Sequence, residues 1–169
     1  MKKLTLLIAI LMVVGFSTSA FAQVSATATA TATIVTPIAI AKTVDMNFGN
    51  VATNGLAVGT VVLTPAGTRT VTGVATLPAT TGTVTAASFN VTGQGTFTYA
   101  ITLPAAAITL VGVTAGVTAS TFTSTPSGTG ALTAGAQTLL VGATLNLPAT
   151  AVTAGAYTSA AFTVTVNYN

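Results

Sequence analysis

Alternating apolar and polar positions in the middle and at the end of the chain predict β-strands. In residues 97–103 and 162–168, apolar side chains alternate with threonine, alanine and asparagine. The apolar positions are Phe97, Tyr99, Ile101, Leu103, Phe162, Val164, Val166 and Tyr168. Because successive side chains of a strand point to opposite faces, each segment has one apolar and one polar face. Both segments are therefore predicted to belong to a sheet that is buried on one side.

Shorter apolar and β-branched runs predict further strands along the rest of the chain. The runs are 38–41, 44–51, 58–63, 70–77, 83–91, 108–113, 120–124 and 137–147. Gly, Pro, Asn and Ser separate them at the spacing typical of antiparallel sandwiches and barrels. No stretch of about 12 residues after residue 22 keeps a helical period, and only residues 104–110 offer a single helical turn. We therefore predict an all-β, single-domain antiparallel β-sandwich with almost no helix.

Residues 23–36 form an alternating segment of their own. Its apolar positions are Val24, Ala26, Ala28, Ala30, Ala32 and Ile34, and the positions between them are serine or threonine. One interpretation is that the segment is simply the first strand of the domain. The other is a donor strand, which adds to the sheet of a neighbouring subunit and so builds an open filament. Alanine side chains bury little apolar area, which weighs against a strong donor.

The first residues have the pattern of a secretory signal peptide. Lys2 and Lys3 precede an apolar run that ends at Phe16, and small residues flank Phe21 as at a cleavage site. This pattern predicts export to the periplasm, the cell surface or the medium, with no membrane span once the signal is removed. The expected organisation is a signal peptide at 1–22, the alternating segment at 23–36 and a β-sandwich domain at 37–169.

Charged side chains are almost absent after the predicted signal peptide. The chain has four Lys and Arg, one acidic residue and no His. Only Lys42, Asp45 and Arg69 lie beyond residue 22, which leaves one net positive charge. A nucleic-acid-binding protein needs a basic patch to neutralise phosphates, so we expect no nucleic-acid partner.

The same shortage limits catalysis. Without His or Cys the chain cannot build a Ser-His-Asp triad, a Cys-His pair or the usual zinc site. One carboxylate is too few for a calcium cage or for paired acid–base catalysis. We therefore expect a protein that is not an enzyme and needs no cofactor or metal.

The polar strand faces carry Thr, Ser and Asn in place of Lys and Glu. Charged residues on exposed strands normally keep sheet edges from pairing with other chains. A threonine-covered surface with so little charge has weak electrostatic protection against association. We therefore expect the protein to associate with itself or with related subunits by β-strand addition.

Two segments resemble the bacterial domain of unknown function 4402 family. One runs from Ile38 through the stretch Asp45-Met46-Asn47-Phe48-Gly49-Asn50. The other ends the chain, with a Gly142-Ala143-Thr144-Leu145 strand, a Gly155-x-Tyr157 motif and the final alternating strand. The resemblance covers nearly the whole chain after residue 22.

That resemblance implies a secreted, immunoglobulin-like β-sandwich that is in turn similar to chaperone-usher pilins and spore coat protein U-like subunits. In those pilins the last strand leaves the sandwich incomplete and is held by a periplasmic chaperone. The matching positions here are Phe162, Val164, Val166 and Tyr168. The expected function is a structural, pilin-like subunit of a cell-surface fibre or fimbria, with a chaperone as a candidate partner.

Other functions fit parts of the pattern. A secreted ligand-binding sandwich, for carbohydrate or for surface adhesion, is the main alternative. The chain has no Trp to form a sugar platform. A small outer-membrane β-barrel fits the alternation but lacks aromatic girdles.

Three single features complete the predictions. Lys42 and Asp45 are spaced to form a surface ion pair. Arg69 is expected to do no more than solvate a loop. Tyr157 is expected to be a core or corner tyrosine whose hydroxyl bonds to backbone.

Overall fold

Strands account for all the regular secondary structure in the part of the chain that the structure, a computed structural model, describes. This part comprises residues 23–53 and 56–169. In chain order the strands are β1 (Ala39–Val44), β2 (Ala52–Thr53), β3 (Gly59–Leu63), β4 (Arg69–Gly73), β5 (Ala75–Thr76), β6 (Ala87–Thr92), β7 (Thr98–Thr102), β8 (Ile108–Val111), β9 (Thr118–Thr125), β10 (Thr129–Ala131), β11 (Ala136–Leu147), β12 (Thr158–Ser159) and β13 (Thr165–Tyr168). The prediction of an all-β protein is confirmed.

The longest strand, β11, organises an eight-stranded sheet. Its first half pairs with β6 and its second half with β3 along the same edge, while β9 pairs along the opposite edge. The sheet continues from β6 to β1, from β3 to β4, and from β9 through β8 to β12. A three-stranded sheet has the order β10-β7-β13, and β2 pairs with β5 separately. All these pairings are antiparallel.

Gly142 lies where β11 changes partners from β6 to β3. A Cβ atom at this position would overlap the carbonyl oxygen of Leu63 and lie 2.7 Å from the carbonyl carbon of Thr64. The chain leaving β3 can pass this close to β11 only because the residue has no side chain. Glycine at 142 therefore lets a single strand serve two neighbours on one edge.

Two hydrophobic clusters lie along one face of β11. Leu139 and Val141 belong to the first cluster, in which Phe89 of the large sheet meets Tyr99 and Val166 of the three-stranded sheet. Residues from both sheets are thus buried in one core. Leu145 and Leu147, which alternate in step with Leu139 and Val141, belong to the second cluster with Val61, Ala75, Leu110, Val117 and Ala119.

A β-bulge in β9 brings Phe122 between the two clusters. Gly142 of β11 faces Thr123, whereas Thr144 faces Ser120, so β9 contains one extra residue in this interval. Thr121 has a φ of 50°, which is an outlier for a β-branched residue. Because the bulge reverses the alternation of β9, Phe122 points inward and packs against both clusters.

The chain divides after Ile34. The unit from Val35 to Asn169 contains all the strands. Of the preceding unit the structure describes residues 23–34, the N-terminal arm, which has no strand and only exposed side chains. The predicted signal peptide at residues 1–22 lies outside the described residues. Where the chain is described, it contains no helix with the length and hydropathy needed to cross a membrane.

Several predicted strands are shorter than expected. The run 44–51 is not a strand, because Asn47 and Gly49 form a side-chain-to-backbone turn there, with Asn47 Oδ1 accepting the Gly49 N–H at 2.8 Å. Gly73, with a φ of 65°, ends β4 within the run 70–77. The helical turn proposed at 104–110 is also wrong, since β8 begins at Ile108 and three alanines are too few to nucleate a helix.

Candidate functional site

A cleft of about 1060 Å³ lies against the apolar face of the large sheet. Its floor consists of side chains from β6, β8, β9 and β11 and of Val117, which directly precedes β9; all of them belong to the two hydrophobic clusters or pack against them. They are Ala87, Phe89, Ile108, Leu110, Val117, Ala119, Leu145 and Leu147. The second cluster is therefore bounded on this side by the cleft, whereas the first is covered by the three-stranded sheet.

One rim of the cleft is the strap, which we define as residues 45–53. Backbone hydrogen bonds in both directions join Asn47 to Thr85, at 2.8 and 3.0 Å. Asn50 adds two more, from its N–H to Thr81 O at 2.7 Å and from Nδ2 to Thr80 O at 3.0 Å. These bonds all lead to the segment 80–85, so they hold the strap in place from one side.

Arg69 holds the strap from the start of β4. Its Nη1 donates hydrogen bonds to the carbonyl oxygens of Phe48 and Asn50, at 2.5 and 2.9 Å. The expectation that Arg69 only solvates a loop is therefore wrong. Gly49 lies between the two carbonyls with a φ of 68°, and a side chain there would collide with the Thr81 carbonyl oxygen. The Phe-Gly-Asn stretch thus presents two carbonyls to one guanidinium group.

The opposite rim is formed by residues 152–162. Tyr157 donates its hydroxyl proton to Thr153 O at 2.7 Å and accepts the Thr114 N–H at 3.2 Å, as predicted for a corner tyrosine. Gly112 allows this close approach, because a Cβ atom there would collide with the Tyr157 ring. At the end of this rim Phe162 packs on Phe122, with ring centroids 5.2 Å apart.

Residues 160–162 line the cleft, and the backbone from residue 160 to residue 164 forms no ladder. Within the described part of the chain, these five residues make no backbone–backbone hydrogen bond. The pairing of β13 with β7 stops at Thr165 and Thr102, and the same register would next place Thr163 opposite Pro104. Proline has no N–H to donate, which ends the ladder at this point.

The predicted C-terminal assembly residues have different positions in the structure. Val164 and Val166 are buried in the first hydrophobic cluster. Phe162 is half-buried and lines the cleft. Tyr168 packs against the first cluster and makes hydrogen bonds at the end of β13. The expected strand at 162–168 is a strand only from Thr165 onward.

The predicted donor residues lie in the N-terminal arm, and all of them are exposed. These residues are Val24, Ala26, Ala28, Ala30, Ala32 and Ile34. Val24 and Ile34, the largest of them, are 92% and 93% exposed.

The electrostatics of the cleft are close to neutral. Lys42 and Asp45 are the charged residues among those described as lining it. They pair with each other, with 2.6 Å between Lys42 Nζ and Asp45 Oδ1, which confirms the predicted ion pair. The cleft therefore combines an apolar floor with a compensated charge at its edge, a surface suited to a neutral, largely apolar occupant.

A comparison with protein families matches residues 38–168 to the family described as Domain of unknown function (DUF4402). The chain belongs to this family. The DUF4402 match confirms that part of the sequence resemblance, and it includes the strap, the cleft and all the strands, while the N-terminal arm precedes it. Searches of the curated proteins and of the solved structures found no match to this chain.

Proposed function

We propose that the protein is a secreted, non-enzymatic structural subunit of a cell-surface fibre or fimbria-like assembly. In this proposal the DUF4402 domain is a pilin-like, immunoglobulin-like sandwich that lacks one strand. A strand from a neighbouring subunit fills the cleft. The protein would be exported by the signal predicted at residues 1–22 and would act in the periplasm, at the cell surface or outside the cell.

The observation that carries the proposal is the combination of an apolar cleft with an unpaired backbone segment beside it. An added β-strand needs main-chain donors and acceptors at its edge and an apolar surface beneath its alternate side chains. Residues 160–164 supply the first requirement and the cleft floor supplies the second. Because the strap is bonded to residues 80–85 on its far side, the interval between strap and residues 160–164 is the natural place for the incoming strand.

The N-terminal arm of a second copy has the chemistry to fill this place. Its alanine face would lie on the cleft floor, and its threonine face would remain in solvent. Alanine buries little area, so most of the affinity would come from main-chain hydrogen bonds and from Val24 and Ile34. Each arm would reach from one copy to the next, and this head-to-tail contact does not close on itself.

Partners other than a second copy follow from the same geometry. A related subunit with an alternating arm would occupy the cleft in the same way. A periplasmic chaperone that lends a strand would cover residues 160–164 until the arm of the next subunit arrives. Because the protein has few charged side chains to keep its sheet edges apart from other chains, the chaperone strand would prevent non-specific pairing before assembly.

The experiment compares two substitutions in the arm of the exported chain. Ala30→Asp places a carboxylate on the face that would be buried, and Thr31→Asp places the same charge on the face that would stay in solvent. We expect the natural chain and Thr31→Asp to form ladders on unheated SDS gels that collapse on boiling, and Ala30→Asp to remain a monomer. A natural chain that stays monomeric at high concentration, or two variants that assemble equally well, would contradict the proposal.

Ligand binding is the second candidate function, and the size of the cleft favours it. A volume of about 1060 Å³ is slightly above the usual range for small-molecule sites, roughly 300 to 1,000 Å³, so a small ligand has room to bind. Phe48, Phe89, Tyr157 and Phe162 are among its lining residues and offer aromatic contacts to a carbohydrate or another neutral ligand. Glycan-array binding that is lost in Phe162→Ala, with assembly unaffected, would favour this function over strand addition.

A further inference from the structure

Two hydrogen bonds hold the backbone of Thr36 at the point where the arm joins the folded unit, and a third joins the two residues that make them. Gln94 Oε1 accepts the Thr36 N–H at 3.1 Å, and the Tyr168 hydroxyl donates to Thr36 O at 2.8 Å. The Gln94 N–H donates to the same hydroxyl at 2.6 Å. Thr36, Gln94 and Tyr168 thus form a closed set of bonds, which we call the clamp. Both main-chain polar groups of Thr36 are satisfied by side chains from distant parts of the sequence.

The surroundings of the clamp are shaped to hold the Tyr168 hydroxyl. A Cβ atom at residue 93 would collide with this hydroxyl, so Gly93 gives it the space it needs. Phe97 meets the ring of Tyr168 edge to face, with centroids 5.6 Å apart. The Gly93 N–H donates to Gly135 O at 2.9 Å, which fixes the loop that carries Gln94. The clamp is therefore built on an ordered loop and on the C-terminal strand.

The strand that follows the clamp is held on one edge only. β1 pairs with β6 and begins its ladder at Ala39 opposite Thr92, and among the described residues its other edge has no strand partner. Pro37 has no N–H and interrupts any continuous ladder between Thr36 and β1. Without the clamp, a force on the arm would act directly on the first residue pairs of the β1–β6 ladder. These pairs would then be pulled apart one after another, beginning with Ala39 and Thr92.

We propose that Tyr168 and Gln94 are positioning residues that fix Thr36 as the root of the arm. A load on the arm is then transmitted to the loop at residues 93–97 and to β13, and the β1–β6 ladder is spared. The proposal rests on the proposed function only for the source of the load, which is the attachment of the arm to a second copy. The clamp itself is a property of the single chain.

The test measures a single molecule under force. One handle is attached at residue 23, and the other at an Ala149→Cys substitution, which is a unique thiol because the chain has no Cys. Tyr168→Phe removes the hydroxyl and keeps the ring. Tyr157→Phe is the matched control, since it also removes a hydroxyl that donates to one carbonyl and accepts from one N–H, but at the rim of the cleft.

We expect Tyr168→Phe to lower the force of the first release and to accelerate amide exchange at Thr36 about tenfold, as loss of two hydrogen bonds implies. Tyr157→Phe should change neither quantity. Gln94→Leu, which removes the acceptor for the Thr36 N–H, should reproduce the effect of Tyr168→Phe. If Tyr168→Phe matches the natural chain, or if both tyrosine variants weaken the first release equally, the proposal is overturned. A failure of subunit assembly would leave these single-molecule results unchanged and would count only against the proposed function.

Discussion

Tyr99 in β7 donates a hydrogen bond from its hydroxyl to Gln137 Oε1 in β11, at 2.7 Å, and so joins the two sheets through their shared core. The same oxygen accepts the Ala131 N–H at 2.9 Å, so β10 is tied to this point as well. Tyr99 has no exposed surface, and a Cβ atom at residue 130 would overlap its ring. A single buried tyrosine therefore fixes the spacing of three strands from two sheets.

Tyr99→Phe should destabilise the protein moderately. The substitution keeps the ring and removes one hydrogen bond, while Gln137 Oε1 still accepts the Ala131 N–H. We expect a loss of about 1 kcal/mol in the free energy of unfolding, measured by urea denaturation. The more severe Tyr99→Ala should cost about 3 to 5 kcal/mol, because it also empties the core. If both variants lost the same free energy of unfolding, the hydrogen bond and not the packing of the ring would account for the contribution of Tyr99.

Stability should fall at alkaline pH because of the same residue. Burial raises the pKa of the Tyr99 hydroxyl above its ordinary value of about 10. The unfolded chain therefore loses this proton at a lower pH than the folded chain does. The stabilisation is complete below about pH 10 and is lost as the pH rises from there toward the folded-state pKa. Urea denaturation from pH 8 to pH 11 should show this decline, and Tyr99→Phe should make it shallower.

Arg69→Leu should release the strap. The substitution leaves the carbonyl oxygens of Phe48 and Asn50 without their charged donor, and such hydrogen bonds contribute about 1.5 to 3 kcal/mol each when buried. Because Arg69 is only partly buried, we expect a total loss of about 2 kcal/mol and faster amide exchange in residues 45–53. Lys42→Leu, which breaks an exposed ion pair, is the control and should change stability by less than about 1 kcal/mol. Unchanged exchange in the strap would refute the role given to Arg69.

Gly142→Ala should be among the most damaging single-methyl additions in the chain. The new Cβ would overlap the backbone of residues 63–65, which cannot move without breaking the pairing of β3 with β11. We expect a loss of more than about 3 kcal/mol, or failure to fold. Gly67→Ala provides the control, since its Cβ would meet nothing within 4 Å and only its φ of 80° opposes a side chain. That variant should lose about 1 kcal/mol.

Thr121→Gly should stabilise the protein or leave it unchanged, unlike most substitutions in a strand. Thr121 has a φ of 50°, which a β-branched residue adopts only at a cost of about 1 to 3 kcal/mol, and glycine adopts it freely. The gain is reduced by the greater flexibility of glycine in the unfolded chain. Thr123→Gly, two residues further along the same strand, should destabilise by about 1 kcal/mol. The melting temperatures of the two variants test the assignment of the bulge. We expect Thr121→Gly to keep or raise the melting temperature and Thr123→Gly to lower it, and an equal drop in both would contradict the assignment.

The strands nearest to strict alternation are the ones that the sequence predicts best. β7 and β13 lie within predicted runs, because a period of two with one apolar face is enough to specify a half-buried strand, and β11 extends its predicted run by one residue, Ala136. β10 and β12 carry too few apolar residues to be recognised. The stretch around Asn47 and Gly49 looked like a strand from its apolar residues, but local side-chain hydrogen bonds compete with ladder formation there.

The individual contacts of the candidate site were much harder to predict. The sequence indicated that Tyr157 bonds to backbone and that Lys42 pairs with Asp45, since the Tyr157–Thr153 and Lys42–Asp45 contacts are local. It did not indicate that Arg69 reaches the carbonyls of Phe48 and Asn50. The residues of the clamp lie up to 132 positions apart, and nothing in the spacing of Thr36 and Tyr168 signals their contact.

The sequence alone determined the all-β character, the scarcity of charge and the alternation of the N-terminal arm, because each depends on composition or on neighbours a few residues away. Only the tertiary structure decided that β11 contributes to both hydrophobic clusters and that Pro104 ends the β7–β13 ladder near the cleft. It also decided that the two ends of the folded unit meet at Thr36 and Tyr168. These features depend on which distant strands become neighbours. Strand alternation specifies the face that a residue occupies, but it does not specify the partner across the sheet.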